Sequence, residues 1–85
     1  MSAKLYVGNL NYRMTDEGLR DLFAQAGVVV SAFIVKDKMT GRSKGFGFVE
    51  MSSPEDAQKA IEMFNEQEVE GRKIMVSEAR PMEQK

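Results

Sequence analysis

The spacing of apolar residues changes period along this chain, and each change marks an element. Lys4 to Gly8 alternates, with Leu5 and Val7 on one side and Tyr6 on the other, which predicts a strand. Thr15-Asp16-Glu17 then offers a capping hydroxyl followed by two acids, a helix start. Leu19, Leu22, Phe23 and Ala26 recur at helical spacing as one stripe, and Gly27 stands where a C-terminal cap belongs. Val28 to Lys36 is β-branched and apolar, a second strand, and Asp37 to Ser43 a loop. Lys44 to Met51 is a third strand. Ser53-Pro54-Glu55-Asp56 opens a second helix, with Pro at its first position and Asp56 where a capping-box acid would stand. Its stripe is Ala57, Ala60, Ile61 and Phe64. A last strand is expected over Arg72 to Ala79, after Gly71.

The order β-α-β-β-α-β is the ferredoxin-like plan of the α+β class, a four-stranded antiparallel sheet with two helices on one face. Residues 1–80 are expected to form one domain and residues 81–85 a short polar tail. A chain of 85 residues has material to cover only one side of such a sheet. Residues two apart in a strand share a face. Gly47, Val49 and Met51 therefore point one way, and Phe46, Phe48 and Lys44 the other. The core is expected to take Leu5, Val7, Leu19, Leu22, Phe23, Ile34, Val49, Met51, Ala57, Ile61, Phe64, Ile74 and Val76. Tyr6, Phe46 and Phe48 remain for the open side. Aromatic rings beside a cation, cleared of neighbours by glycine, form a platform for unpaired nucleic-acid bases.

Composition narrows the chemistry. Twelve basic residues nearly balance thirteen acidic ones, so no global positive field attracts nucleic acid. The acids Asp16, Glu17, Asp21, Glu55, Asp56, Glu62 and Glu66 are expected on the helices, and Lys36, Lys38, Arg42, Lys44, Lys73 and Arg80 beside the open face. There is no Cys and no His, which removes thiolate ligands, disulfides and the commonest general base. The glycines at 41, 45 and 47 fit neither a nucleotide-binding phosphate loop nor a dinucleotide fingerprint. No enzyme, cofactor or metal site is expected. With no apolar run long enough to span a bilayer, no membrane contact is expected, and the location is expected to be cytoplasmic, or nuclear in a eukaryotic source.

Lys44-Gly45-Phe46-Gly47-Phe48-Val49-Glu50-Met51 resembles the octamer submotif of the RNA-recognition motif family, and Leu5-Tyr6-Val7-Gly8-Asn9-Leu10 resembles its hexamer. The resemblance extends over Lys4 to about Arg80 and includes the element order. By overall look the chain is similar to the compact bacterial members and to glycine-rich RNA-binding proteins, without a glycine-rich tail. The resemblance implies a single-stranded RNA partner, with single-stranded DNA as a substitute in vitro, and a role in post-transcriptional regulation or RNA chaperoning. It implies that Tyr6 and Phe48 stack successive bases, and that Phe46 packs against the sugar between them. Lys44 would neutralise a phosphate, with Arg42 as a second candidate. Glu78 and Arg80 match a region whose backbone reads base edges, and Asn9 would organise the turn after the first strand.

Two positions depart from the family pattern. Met51 replaces the aromatic that closes the octamer, but its parity is that of the core, where Met packs well. Phe33 would face outward if Ala32 and Ile34 face the core, and Met75 likewise on the last strand. Phe33 then either widens the platform or meets a protein; a register that buries it is the other reading. The competing function is a protein-interaction module whose aromatic face binds a peptide or a second copy of the chain.

Overall fold

The computed structural model describes residues 3–79. It contains strands β1 (Lys4–Gly8), β2 (Val29–Lys36) and β3 (Ser43–Met51), with helix α1 (Asp16–Phe23) between β1 and β2. Helix α2 (Pro54–Phe64) follows, then the short strands β4 (Glu68–Val69) and β5 (Arg72–Lys73), and finally β6 (Met75–Glu78). The main sheet is antiparallel in the order β2-β3-β1-β6, and β4 and β5 pair separately as a hairpin. Both submotifs thus lie on the two central strands. Helix α1 packs on β2 and β3, and α2 on β3 and β6, which closes one side of the sheet.

The helix starts follow the expected chemistry. Thr15 Oγ1 accepts from the Gly18 amide at 2.9 Å, and Ser53 Oγ from the Asp56 amide at 3.2 Å. The ends differ. Helix α1 stops at Phe23 and Ala24 caps it in the right-handed region, so Ala26 is buried from the following turn rather than from the helix. Gly27 is not the left-handed cap that its position suggests, because positive φ among glycines is confined to Gly41, Gly45 and Gly71. Its role is space: a Cβ there would collide with the Asp56 carboxylate. That carboxylate accepts from the Val28 amide and the Ser52 hydroxyl, both at 3.3 Å, so it staples the start of β2 to α2 and does not complete a capping box.

The expected last strand is divided. Arg72 and Lys73 turn away to pair with Val69 and Glu68, and only Met75–Glu78 joins β1. Two residues connect β4 to β5, Glu70 at φ 51° and Gly71 at φ 83°, the backbone of a tight hairpin turn. The core between sheet and helices holds the expected residues, with Leu22 and Ile61 half-buried at its edge. It gains Leu10 and Met14 from the loop after β1, at 1% and 8% exposure.

Candidate nucleic-acid interface

Strand parity sends four rings to the uncovered face. Cross-strand register aligns Phe33 with Phe48, Phe48 with Tyr6, and Tyr6 with Ser77, so three aromatic residues stand in one row across β2, β3 and β1. Phe46 lies one step along β3. Ring centroids are 5.7 Å apart for Tyr6 and Phe46, 5.9 Å for Tyr6 and Phe48, and 5.7 Å for Phe33 and Phe48. Phe46 and Phe48 meet edge to face at 6.2 Å. Tilted rings at these distances support one another while leaving faces open. The next row holds Lys4, Glu50 and Ser31, a polar border to the aromatic one.

Glycine makes this packing feasible on the reverse side. Gly47 pairs with Ile34, and a Cβ on it would run into the Phe33 carbonyl oxygen. Strands β2 and β3 therefore approach closely beneath the Phe33–Phe48 pair. Phe33 faces outward at 48% exposure, which removes the register that buried it, and Met75 is outward at 45%. Met51 is buried at 1%, on the core side as its parity requires.

The charged candidates separate. Lys44 is exposed and lines a shallow recess with Tyr6 and Phe46, although Gly45 at φ 87° interrupts the extended backbone between the cation and the rings. Arg42 lies farther out, in a second recess that it shares with Lys36 and Lys44. Glu78 is not brought to the rings: it pairs with core-facing Leu5, and Ser77 takes the open-face position on β6. Arg80 lies outside the described residues. Asn9 adopts φ 59° and holds the hairpin, donating to the Lys73 carbonyl at 2.6 Å and accepting from Arg72 Nη2 at 2.7 Å.

Two neighbours of the rings escaped the sequence reading. Tyr12, in the loop after β1, lies 71% exposed against Gly45. Arg72 joins Tyr6, Phe46 and Lys44 around the first recess. Their only local signal was a tyrosine and an arginine next to turn residues. What positions them is tertiary: the contact with Gly45 and the hydrogen bond to Asn9.

Comparison with known proteins agrees with this geometry. The RNA recognition motif family matches residues 5–75. The "28 kDa ribonucleoprotein, chloroplastic" of Nicotiana sylvestris is 49% identical over 79 residues, which is 93% of this chain and 29% of that protein. The chain thus spans less than a third of that relative. The crystal structure of RNA Binding Protein PG1 superposes with a TM-score of 0.89 at 54% identity, covering 94% of this chain and 99% of that one. An Sxl-lethal protein/RNA complex superposes with a TM-score of 0.92 at 36% identity, covering 99% of this chain and 50% of the other.

Proposed function

The chain belongs to the RNA recognition motif family, and from this we propose that its open sheet face binds single-stranded RNA by stacking bases on Tyr6 and Phe48. Phe46 packs against the intervening sugar, Phe33 widens the platform at the β2 edge, and Lys44 and Arg42 meet phosphate. The observation that carries this reading is the row Phe33, Phe48 and Tyr6, with Phe46 beside it, on a face that neither helix covers. A small domain rarely leaves four rings toward water without a partner. Membership of an RNA-binding family, with relatives that are ribonucleoproteins, also sets the chain apart from enzymes.

The recognising unit is the domain expected over residues 1–80, within which the family match spans residues 5–75. We propose that the main chain around Glu78, at the end of β6, reads base edges, as the family resemblance implies for Glu78 and Arg80. Single-stranded DNA offers the same base faces and is expected to bind in vitro. We propose, as the family resemblance implies, a role in post-transcriptional regulation or RNA chaperoning. The cytoplasmic expectation gains nothing from the relatives, of which the tobacco protein is chloroplastic. The lack of Cys fits a reducing compartment of either kind.

Fluorescence anisotropy with mixed-sequence single-stranded RNA tests the platform. Phe46→Ala and Phe48→Ala are each expected to lose about 1–3 kcal/mol of binding while circular dichroism stays native. Wild-type affinity in both variants would overturn the stacking assignment.

A further inference from the structure

The main sheet ends in two edge strands, β2 and β6, and among the described residues neither has a further strand beside it. Outward N–H and C=O groups on such edges are a template for another chain. On each edge a side chain from a helix terminus takes one outward amide. The Ile34 amide of β2 donates to Asp16 Oδ1 at 2.7 Å, and Asp16 opens α1. The Val76 amide of β6 donates to Asn65 Oδ1 at 3.0 Å, and Asn65 caps α2.

The two edges differ in what they offer a second strand. β6 has four residues and carries Glu78, so a copy of it would add few bonds. β2 has eight residues, and Lys36 is its one charged position. The rest of it is β-branched and apolar apart from Ser31, a composition that favours strand addition. Val28, just before β2, is 64% exposed and Val30 53%, and Phe33 is exposed on the open face. Val30 is the extra residue of a bulge, because Val29 and Ser31 stand opposite the adjacent residues Met51 and Glu50. From Ser31 to Ile34 the ladder is regular, so the Ala32 amide points the same way as the Ile34 amide, away from β3. An apolar edge thus holds a regular stretch with two outward amides, and Asp16 occupies one of them.

We propose that the Asp16 carboxylate keeps β2 from pairing with the β2 strand of a second copy of this chain. The strand fits itself. In an antiparallel joint with its two-fold axis at Phe33, each Ile34 amide would donate to the Ala32 carbonyl of the other copy. Each Ala32 amide would donate to the Ile34 carbonyl in return. Phe33 would lie against Phe33, and Lys36 would stand opposite Val30, so no like charges meet. Two four-stranded sheets would become one. That joint needs both outward amides, and the bond to Asp16 withholds the one from Ile34.

Sedimentation velocity over a concentration series, with no RNA present, tests the block. Wild-type protein is expected to remain a monomer. Asp16→Ala is expected to shift to a dimer as concentration rises, and so is Asp16→Ser, which stays polar but is one bond too short to reach β2. Asp16→Asn keeps an oxygen acceptor and is expected to stay monomeric. Leu22→Ala removes packing from the same helix without touching the edge, and it too is expected to stay monomeric at temperatures where circular dichroism is native. Hydrogen exchange locates the joint: in Asp16→Ala the Ala32 amide is expected to exchange more slowly as the dimer forms, whereas a merely loosened structure would speed it. A wild-type dimer, monomeric Asp16→Ala and Asp16→Ser, equal association in Leu22→Ala or Asp16→Asn, or a dimer whose Ala32 amide is not slowed would each overturn the proposal.

Discussion

Gly47 and Phe33 share one constraint seen from opposite faces of the sheet. The Gly47 Cβ that L-residues carry would meet the Phe33 carbonyl oxygen and come within 3.1 Å of Ile34 Cα, both backbone atoms of the paired strand. The ladder must open to admit it. Gly47→Ala is therefore expected to destabilise the domain by about 1–3 kcal/mol in denaturant titrations, as overpacking does. It should also weaken RNA binding, because the strand shift moves Phe48 against Phe33. Phe33→Ser is the complementary change: it removes a ring already 48% exposed, so stability should change by less than about 1 kcal/mol. RNA affinity should fall by a similar amount or more, and sedimentation velocity should be unaltered; an altered sedimentation coefficient would instead point to self-association through this face. Outward placement of Phe33 could be read from parity, because its neighbours Ala32 and Ile34 fit the core. Tyr12 could not be read that way, since a loop has no period, and its place depends on Gly45 and on the Asn11 turn.

At the scale of elements, the alternation of strands and helices was legible because each periodic run is long enough to have one face. The β4–β5 hairpin was not. Its strands are two residues each, too short for any period, and its turn is Glu70-Gly71 rather than the Asn-Gly that signals a tight hairpin. Glu70 bears a left-handed backbone at φ 51°, which costs an ordinary L-residue about 1–2 kcal/mol and Asn less. Glu70→Asn is thus expected to raise stability by up to about 1 kcal/mol, read as a higher midpoint in thermal melts. Only the Glu70 carbonyl serves Asn11, so that bond survives the substitution. Asp16 acts at the other edge of the main sheet, at β2. As the first residue of α1 it accepts from the Ile34 amide of edge strand β2 at 2.7 Å, tying helix start to sheet edge. Asp16→Ala should leave that part-buried amide without its carboxylate and cost about 1–3 kcal/mol, whereas Asp21→Ala, on an exposed helix face, should cost less than about 0.5 kcal/mol.

At the scale of the whole molecule, a net charge of −1 has to coexist with a polyanionic partner. The fold reconciles them by separating sides. Asp16, Glu17, Asp21, Glu55, Asp56 and Glu62 lie on the two helices, which pack on the covered side of the sheet. Lys36, Arg42 and Lys44 line the recesses beside the rings, with Arg13 and Arg72. This partition was legible in outline once the helices were assigned, although Glu66 lies just past α2, with a positive φ, rather than on it. Cations outnumber acids around these recesses, but few of them can touch phosphate at once, and acidic charge lies within a Debye length or two of them. Stacking must then carry much of the affinity. If about three to five phosphates are neutralised, a plot of log binding constant against log salt should have a slope of roughly −2 to −3.5, from about −0.7 per phosphate contact on a single strand. Lys44→Gln should reduce the steepness of that slope by roughly one contact's worth, whereas Phe48→Ala should lower affinity at every salt concentration and leave the slope unchanged. Anisotropy titrations across a salt series read both effects in one experiment. A slope that moved with Phe48 and not with Lys44 would mean that charge and stacking had been assigned to the wrong side chains.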